Sequence, residues 1–263
     1  MRFHKIYALS LRHIYLICSS FPRIIDLIYW PTVQIFLWGF ISKFFTLNST
    51  YYSNTVGIIL TAAILYDFLF RASISYNMMF LEEIWSRNFT NLFIAPIKIS
   101  EIIASLTLTA IFRTLIGLIP ATILAIPLFG VSVFKLGIPL LFLLLSLYIF
   151  GITLGVLVTS GLLRFGPSFE SIAWASLFFL APLGCIYYPI EILPNSLQLI
   201  AKALPLVHIF EEMRNILLNN SVNWFQIIKS ISISIMYFVF GVIVFYVSYF
   251  GAKVRGTLIN MGE

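Results

Sequence analysis

Residues 136–160 read LGIPLLFLLLSLYIFGITLGVLVTS, twenty-five consecutive positions with no charged side chain. As a helix rising about 1.5 Å per residue, this run spans roughly 37 Å, more than the ~30 Å hydrocarbon core of a bilayer. Its apolar residues are continuous rather than alternating, which argues against a strand of a membrane barrel. A backbone in lipid must satisfy its own polar groups, and a helix does so within one segment. The run therefore reads as a membrane-crossing helix, around which the rest of the chain is organised.

Composition extends that reading to the whole chain. Hydrophobic residues make up 60% and charged residues 10%, with a mean hydropathy of +1.01, against roughly 25% charged residues in a soluble domain. Toward the amino terminus, Lys135 marks a turn and Ile102–Phe129 forms the preceding span, in which Arg113, Pro120 and Pro127 fall. Prolines inside a helix remove a backbone donor and crowd the preceding turn, so these are expected to bend or end it. A further span over Val56–Phe80 carries Asp67 and Arg71, the uncharged Thr46–Thr55 is a short loop, and Ile24–Phe45 is the first span. Ahead of the break at Pro22, residues 1–22 carry Lys5 and Arg12 on one side and suit an interfacial helix, or else an extension of the first span.

Toward the carboxyl terminus, Arg164, Gly166, Pro167 and Glu170 form a loop before a fifth span, Ser171–Ile186. Residues 187–223 are broken by Tyr187, Tyr188, Pro189, Glu191, Pro194 and Asn195. Two apolar pieces follow, Leu197–Leu204 and Val207–Leu218, separated by Pro205 and too short to cross alone; they read as re-entrant or interfacial. The last span, Ile227–Phe250, ends in a basic tail with Lys253 and Arg255. The fold class is thus an all-α polytopic membrane protein: one domain over 1–263, six transmembrane helices, an N-terminal interfacial helix, a cytoplasmic helix over 81–95 and an outward re-entrant hairpin.

Lys and Arg counting orients it. With the amino terminus inside, inner ends hold Arg2, Lys5, Arg12, Arg23, Arg87, Lys98, Arg164, Lys253 and Arg255, nine in all; outer ends hold Lys43, Lys135, Lys202, Arg214 and Lys229, five. Both termini are expected in the cytoplasm. The net charge of +6 is spread around span ends rather than forming one stripe, so it points to membrane orientation and not to nucleic acid. Cys18 and Cys185 fall on opposite sides of the membrane and are not expected to pair. Arg12 and His13 interrupt the first apolar stretch and no small-residue cleavage site follows, so no cleaved signal peptide is expected. No internal repeat stands out.

No Gly-rich loop followed by Lys and Ser or Thr occurs, so P-loop nucleotide binding is not expected. His4, His13 and His208 are scattered without metal-ligand spacing, and no serine sits in a nucleophile elbow. The chain reads as no enzyme, with no catalytic residue, no metal and no cofactor of its own. Charges within spans are expensive in lipid and mark pairing or function. Asp67 and Arg71, four residues apart, either neutralise each other or face a substrate path. Arg113 needs a partner, a water-filled cavity or a snorkelling route. Arg23 and Asp26 read as an interfacial anchor. Trp30, Trp38, Tyr66, Trp174, Tyr187 and Tyr188 either stack on sugar rings or sit as headgroup anchors.

Leu81–Phe93 has two faces at helical spacing. Leu81, Ile84, Trp85, Phe89 and Leu92 form the apolar side; Glu82, Glu83, Ser86, Arg87, Thr90 and Asn91 form the other. Such a short amphipathic helix is either an interfacial connector or a docking element. The stretch LEEIWSRNFTNLFIAPIKISEII, Leu81–Ile103, resembles the cytoplasmic coupling segment of the type-2 permease family of ATP-binding cassette (ABC) transporters. A second stretch, YPIEILPNSLQLIAKALPLVHIFEEMRNILL, Tyr188–Leu218, is similar to that family's outer re-entrant hairpin, with Tyr-Pro, Leu-Pro, a central Pro and Glu211-x-x-Arg214.

That resemblance implies the permease subunit of an exporter in the bacterial inner membrane. Its partners would be a dimer of cytoplasmic ATPase subunits, which hold the ATP and Mg, together with a second permease copy, a homodimer being expected, and membrane lipids. Glu82, Glu83, Ile84, Trp85, Ser86, Arg87, Asn88 and Asn91 would dock in the ATPase. Tyr187, Tyr188, Pro189, Pro194, Pro205, Glu211 and Arg214 would belong to an outer gate, and the first, second and fifth spans would line a path for an amphiphilic, glycan, lipid or drug-like substrate. Two other classes stand beside it: a gradient-driven transporter using Asp67, Arg71 and Arg113, and a membrane scaffold without transport.

Overall fold

The computed structural model describes residues 3–48, 55–86, 88 and 95–256. Among these there are helices and no strands. They run α1 (Phe3–Cys18), α2 (Phe21–Asn48), α3 (Thr55–Trp85), α4 (Ile99–Phe129), α5 (Pro139–Phe165), α6 (Glu170–Leu183), α7 (Asn195–Ala203), α8 (Pro205–Asn219) and α9 (Trp224–Arg255), with short 3-10 turns at Val133–Leu136, Pro167–Phe169 and Ile190–Ile192. Five of them, α2, α3, α4, α5 and α9, are long and apolar enough to cross a bilayer. The chain is a helical, multi-pass membrane protein.

The charge-free run that opens the sequence reading becomes the hub. Within the most apolar stretches of α3 and α5, 61% of residues are buried, against 22% for α2 and α9, so the last two present broad outward faces. A helix pair in lipid gains little from excluding water and is held by close packing, which small residues allow. On α5, Gly151 and Gly155 supply it. A Cβ on Gly151 would stand 2.8 Å from the Leu69 carbonyl oxygen, and one on Gly155 would stand 2.9 Å from Tyr76 Cβ. On the other side Ser146 Oγ meets Ser234 Oγ at 2.9 Å, and Gly241 of α9 lies against Thr153. In parallel, α2 lies on α4, where Gly117 admits the Leu27 carbonyl and Gly39 admits the ring of Phe129.

These contacts fix direction. Leu69 and Tyr76 meet Gly151 and Gly155 in the same order, and Thr153 precedes its contact with Gly241 as Ser146 does with Ser234, so α3, α5 and α9 run parallel. Leu27 and Gly39 meet Gly117 and Phe129 in order, so α2 and α4 run the same way as each other. The bundle therefore has two poles. The base gathers α1, the starts of α2 and α4 and the ends of α3, α5 and α9; the far pole holds their other ends and the hairpin α7–α8.

Four sequence expectations change. The fifth span is a helix only over Glu170–Leu183, 14 residues or roughly 21 Å, because Pro182 and Gly184 close it before the apolar run ends at Ile186. Pro120 does not interrupt α4, which continues for 31 residues and stops at Gly130, whose φ of 66° closes the last turn through a bond to the Ile126 carbonyl. Leu81–Trp85 is no separate helix but the end of α3; of the rest of the expected 81–95 helix, Ser86 is a turn and Asn88 is not helical, while Arg87 and residues 89–94 lie outside the described residues. Lys5 and Arg12, expected on an interfacial face, contact protein instead: Lys5 Nζ donates to the Pro96 carbonyl, and α1 buries Ser10, His13 and Ile17 against the base.

Gly151→Leu forces α3 and α5 apart and costs about 1–3 kcal/mol, seen as a lower unfolding midpoint in detergent. Gly57→Ala, with no atom within 4 Å of the added carbon, leaves the midpoint unchanged or slightly raised.

Candidate functional site: charge clusters at the two poles

At the base, three segments distant in sequence meet on two carboxylates. Glu83, only 3% exposed, takes Arg12 on Oε1 in a short ion pair, has His13 Nε2 at 3.5 Å from the same oxygen, and accepts from Asn88 Nδ2 at 2.8 Å on Oε2. Glu82 Oε1 pairs with Arg113 at 3.3 Å. The first set ties α1 to the end of α3, and the second ties the end of α3 to α4. Ser10 adds a bond to the Ser105 carbonyl at 3.4 Å, and the α4 start is closed by Glu101 accepting from the Lys98 amide. Burial holds the His13 imidazolium form at a disadvantage, so its pKa lies below the ordinary value in spite of Glu83, with Arg12 acting in the same direction as burial.

These positions divide the residues expected to dock in an ATPase. Glu83 and Ile84 are interior, and Glu82 is engaged with Arg113, so none of the three offers an outward surface. The amphipathic pattern there is satisfied inside the chain: Leu81 and Ile84 pack with Ile102, Ile103 and Leu106 of α4. Trp85, 56% exposed, and Ser86 face outward, and Asn88 is half-buried. Arg87 and Asn91 lie outside the described residues. The sequence reading put Arg12 on an interfacial face and took Arg12 and His13 as interruptions of an apolar stretch; two basic residue types on α1 set against the acidic pair Glu82–Glu83 were the available signal.

Mid-bundle, Arg71 Nε meets Asp67 Oδ2 at 2.9 Å along α3, so the two expected intramembrane charges neutralise each other. Tyr66 donates to the Leu177 carbonyl at 2.5 Å, fastening α6 to α3, and Phe70 meets Trp174 and Phe178 edgewise or tilted. Arg113 has its partner in Glu82.

At the far pole, Pro194 precedes α7 and Pro205 opens α8 at its first position, where a missing amide costs nothing. Ten residues of α8 are buried, and Leu206, Ile209, Phe210, Met213 and Ile216 share a core with Leu60 and Leu65 of α3 and Leu140 and Leu143 of α5. Arg214 is the clamp. Its NH1 donates to the carbonyls of Cys185 at 2.9 Å and Ile186 at 3.2 Å, while NH2 meets Glu211 Oε1 at 2.8 Å; that same oxygen accepts from the Ile190 amide at 3.0 Å. The Glu-x-x-Arg spacing thus pins the 185–190 turn, including Cys185 with its φ of 52°, a left-handed conformation uncommon for a residue with a side chain. Beyond the turn, Tyr187 stacks on Trp38 of α2 with centroids 4.1 Å apart, Tyr188 donates to the Pro182 carbonyl at 2.7 Å, and Pro189 is extended. Burial raises the Tyr188 hydroxyl pKa, so it stays a neutral donor to the Pro182 carbonyl. Glu212 accepts from the Asn223 amide at 2.6 Å and His208 sits between Gln226 and the Lys202 carbonyl; the sequence reading assigned neither of these a place.

Arg214→Lys cannot reach two carbonyls and a carboxylate at once. It lowers stability by about 2–3 kcal/mol and opens the Cys185 turn, so maleimide labelling rises from one thiol, exposed Cys18, toward two. For His13, the folded protein binds fewer protons than the unfolded chain between its lowered pKa and about 6.5, so stability falls as pH drops through that window. The unfolding midpoint of wild type should fall more between pH 7.5 and pH 5.5 than that of His13→Gln.

Comparison with protein-family models finds no match, and comparison with curated proteins finds none either; a role has to be read from the chain's own residues.

Proposed function

We propose that the chain is the permease subunit of an ATP-driven exporter of the ABC type-2 kind, paired with a second copy of itself and with two separate ATPase subunits in a bacterial inner membrane. The observation that carries this reading is the base cluster. The segment between α3 and α4 emerges from a point where Glu83 holds α1 and Glu82 holds α4, so a push on that segment moves three helices together. Among the described residues, Trp85 and Ser86 are the surface offered to an ATPase.

In this reading the chain makes six passes, the fifth being short α6 completed by the hairpin, and both termini lie in the cytoplasm. An even number of passes agrees with the start of α2 and the end of α9 sharing the base. The hairpin, with α8 buried and clamped by Arg214 and α7 exposed, acts as the outer gate, and ATP-driven motion of the base is passed along α3 and α4 toward it. The outward faces of α2 and α6, with Tyr29, Trp30, Phe178 and Phe179 exposed, supply the side on which the second copy packs and between which an amphiphilic substrate would pass. A gradient-driven carrier has less support, because Asp67, Arg71 and Arg113, the ionisable groups it would use, are each committed to a partner.

Purification from native membranes should recover a P-loop ATPase with the chain. In reconstituted complexes Trp85→Ala should keep the unfolding midpoint and lower stimulated ATP hydrolysis by on the order of tenfold, the loss of one exposed aromatic anchor. Wild-type coupling in that variant, or flux by the chain alone under a proton or sodium gradient without ATP, would overturn the proposal.

A further inference from the structure

Between α4 and α9 the bundle leaves a groove of about 500 Å³, floored by Tyr148 of α5. Its walls are Ala104, Thr107 and Leu108 on one side and Val242 and Tyr246 on the other. It runs from Ser100 near the base to Ile111, eleven residues or about 16 Å along α4. Both walls belong to long apolar helices, and Leu108 is 48% exposed, so the medium at its mouth is lipid rather than water.

Two features make the groove more than a gap. Tyr148 spends its hydroxyl on the Thr107 carbonyl, whereas Thr107 Oγ1 is buried and has no hydrogen-bond partner among the described residues, an uncommon and costly state. With no partner to hold it, the hydroxyl can turn into the groove and donate to what lies there. The base end is basic: Lys98 directly precedes α4, and Lys253, seven residues beyond Tyr246 and eleven beyond Val242, falls on the same stripe of α9 within roughly 20° at 3.6 residues per turn. Both lysines are exposed and neither forms an ion pair among the described residues. Thr107 and Tyr246 lie about 14 Å and 10 Å from those lysines along their helices, so the two walls carry their polar groups at similar depth. A dry slot below a pair of unneutralised cations matches an amphiphile with an anionic head and a long chain.

We propose that this groove binds an anionic phospholipid, one acyl chain lying along Ala104, Leu108 and Val242, an ester oxygen accepting from Thr107, and the phosphate between Lys98 and Lys253. The site is independent of the exporter reading: it needs only the bundle and the bilayer, and it lies away from the hairpin and from α2 and α6.

The test uses full-length chain purified from membranes and equilibrated in mixed micelles holding equal phosphatidylglycerol and phosphatidylcholine, with retained lipid counted by native mass spectrometry. Wild type should retain one phosphatidylglycerol in preference to phosphatidylcholine. Lys98→Gln and Lys253→Gln should each weaken that preference by roughly fivefold, the value of one lysine near an anionic headgroup, and Ala104→Phe should remove retention of both lipids. Equal retention of the two lipids by wild type, or undiminished retention by Ala104→Phe, overturns the site. Should Ala104→Phe fail to fold, wild type is irradiated with phosphatidylglycerol carrying a diazirine in its acyl chain: adducts on Leu108, Ile111, Phe238 or Val242 support the groove, and adducts confined to other helices overturn it.

Discussion

Where Gly151 passes Leu69, the backbone of α5 touches the backbone of α3 with no side chain between them, and much of the bundle is arranged by that approach. In lipid there is no hydrophobic drive to bring two apolar helices together, so contact surface has to come from shape. Gly151 and Gly155 let α3 settle into α5, and Ser146 and Thr153 seat α9 against the opposite side. With α3 and α9 both fixed to α5, α8 has a walled recess at the far pole to fill, and α1 has a floor of helix ends at the base. A chain whose longest charge-free run sits at the centre of its own structure has put its most lipid-compatible segment among its most enclosed helices, leaving only one side of it, with Leu141 and Leu145, to lipid.

Ionised groups are handled by one rule in three places. Glu83 with Arg12, Asp67 with Arg71, and Glu211 with Arg214 are each close pairs in which one member is largely shielded, and breaking such a pair leaves an uncompensated charge in a medium that solvates it poorly. The pairs differ in reach. Asp67–Arg71 lies within a single helix and, among the described residues, ties it to no other. Glu83–Arg12 and Glu82–Arg113 bridge segments 71 and 31 residues apart, and Arg214 bridges a helix to the turn 28 and 29 residues before it. Both poles are thus tied across the fold by electrostatics, while the middle is tied by packing.

The long spans were legible because length and apolarity are local properties, and the hairpin because Pro194 and Pro205 break an apolar stretch at recognisable places. What the sequence hid was relational. Glu83 reads as the polar face of a surface helix until Arg12 and His13 are brought beside it. Ile84 and Leu81 satisfy an amphipathic wheel equally well facing lipid or facing α4, and only the register of α4 decides. Pro120 read as a bend or an end, yet a helix in an apolar medium has no water to take up released backbone groups and continues through it. The apolar run to Ile186 looked like a full crossing because hydropathy counts residues and not the turn that Gly184 and Cys185 make. The reading of α1 as an interfacial element put Lys5 and Arg12 on one outward side and missed that they are spoken for by a carbonyl and a carboxylate.

Helix α6 offers the bilayer about 21 Å of apolar length beside an α3 of roughly 46 Å, with Phe178 and Phe179 turned outward. Lipid cannot match both at once. Where lipid rather than a second copy lies against α6, the membrane has to thin, drawing headgroups and water inward at a cost of a fraction of a kcal/mol per Å of mismatch. The protein therefore carries a built-in dent in the surrounding film, and on that side a polar headgroup has the shortest distance to travel from one leaflet to the other.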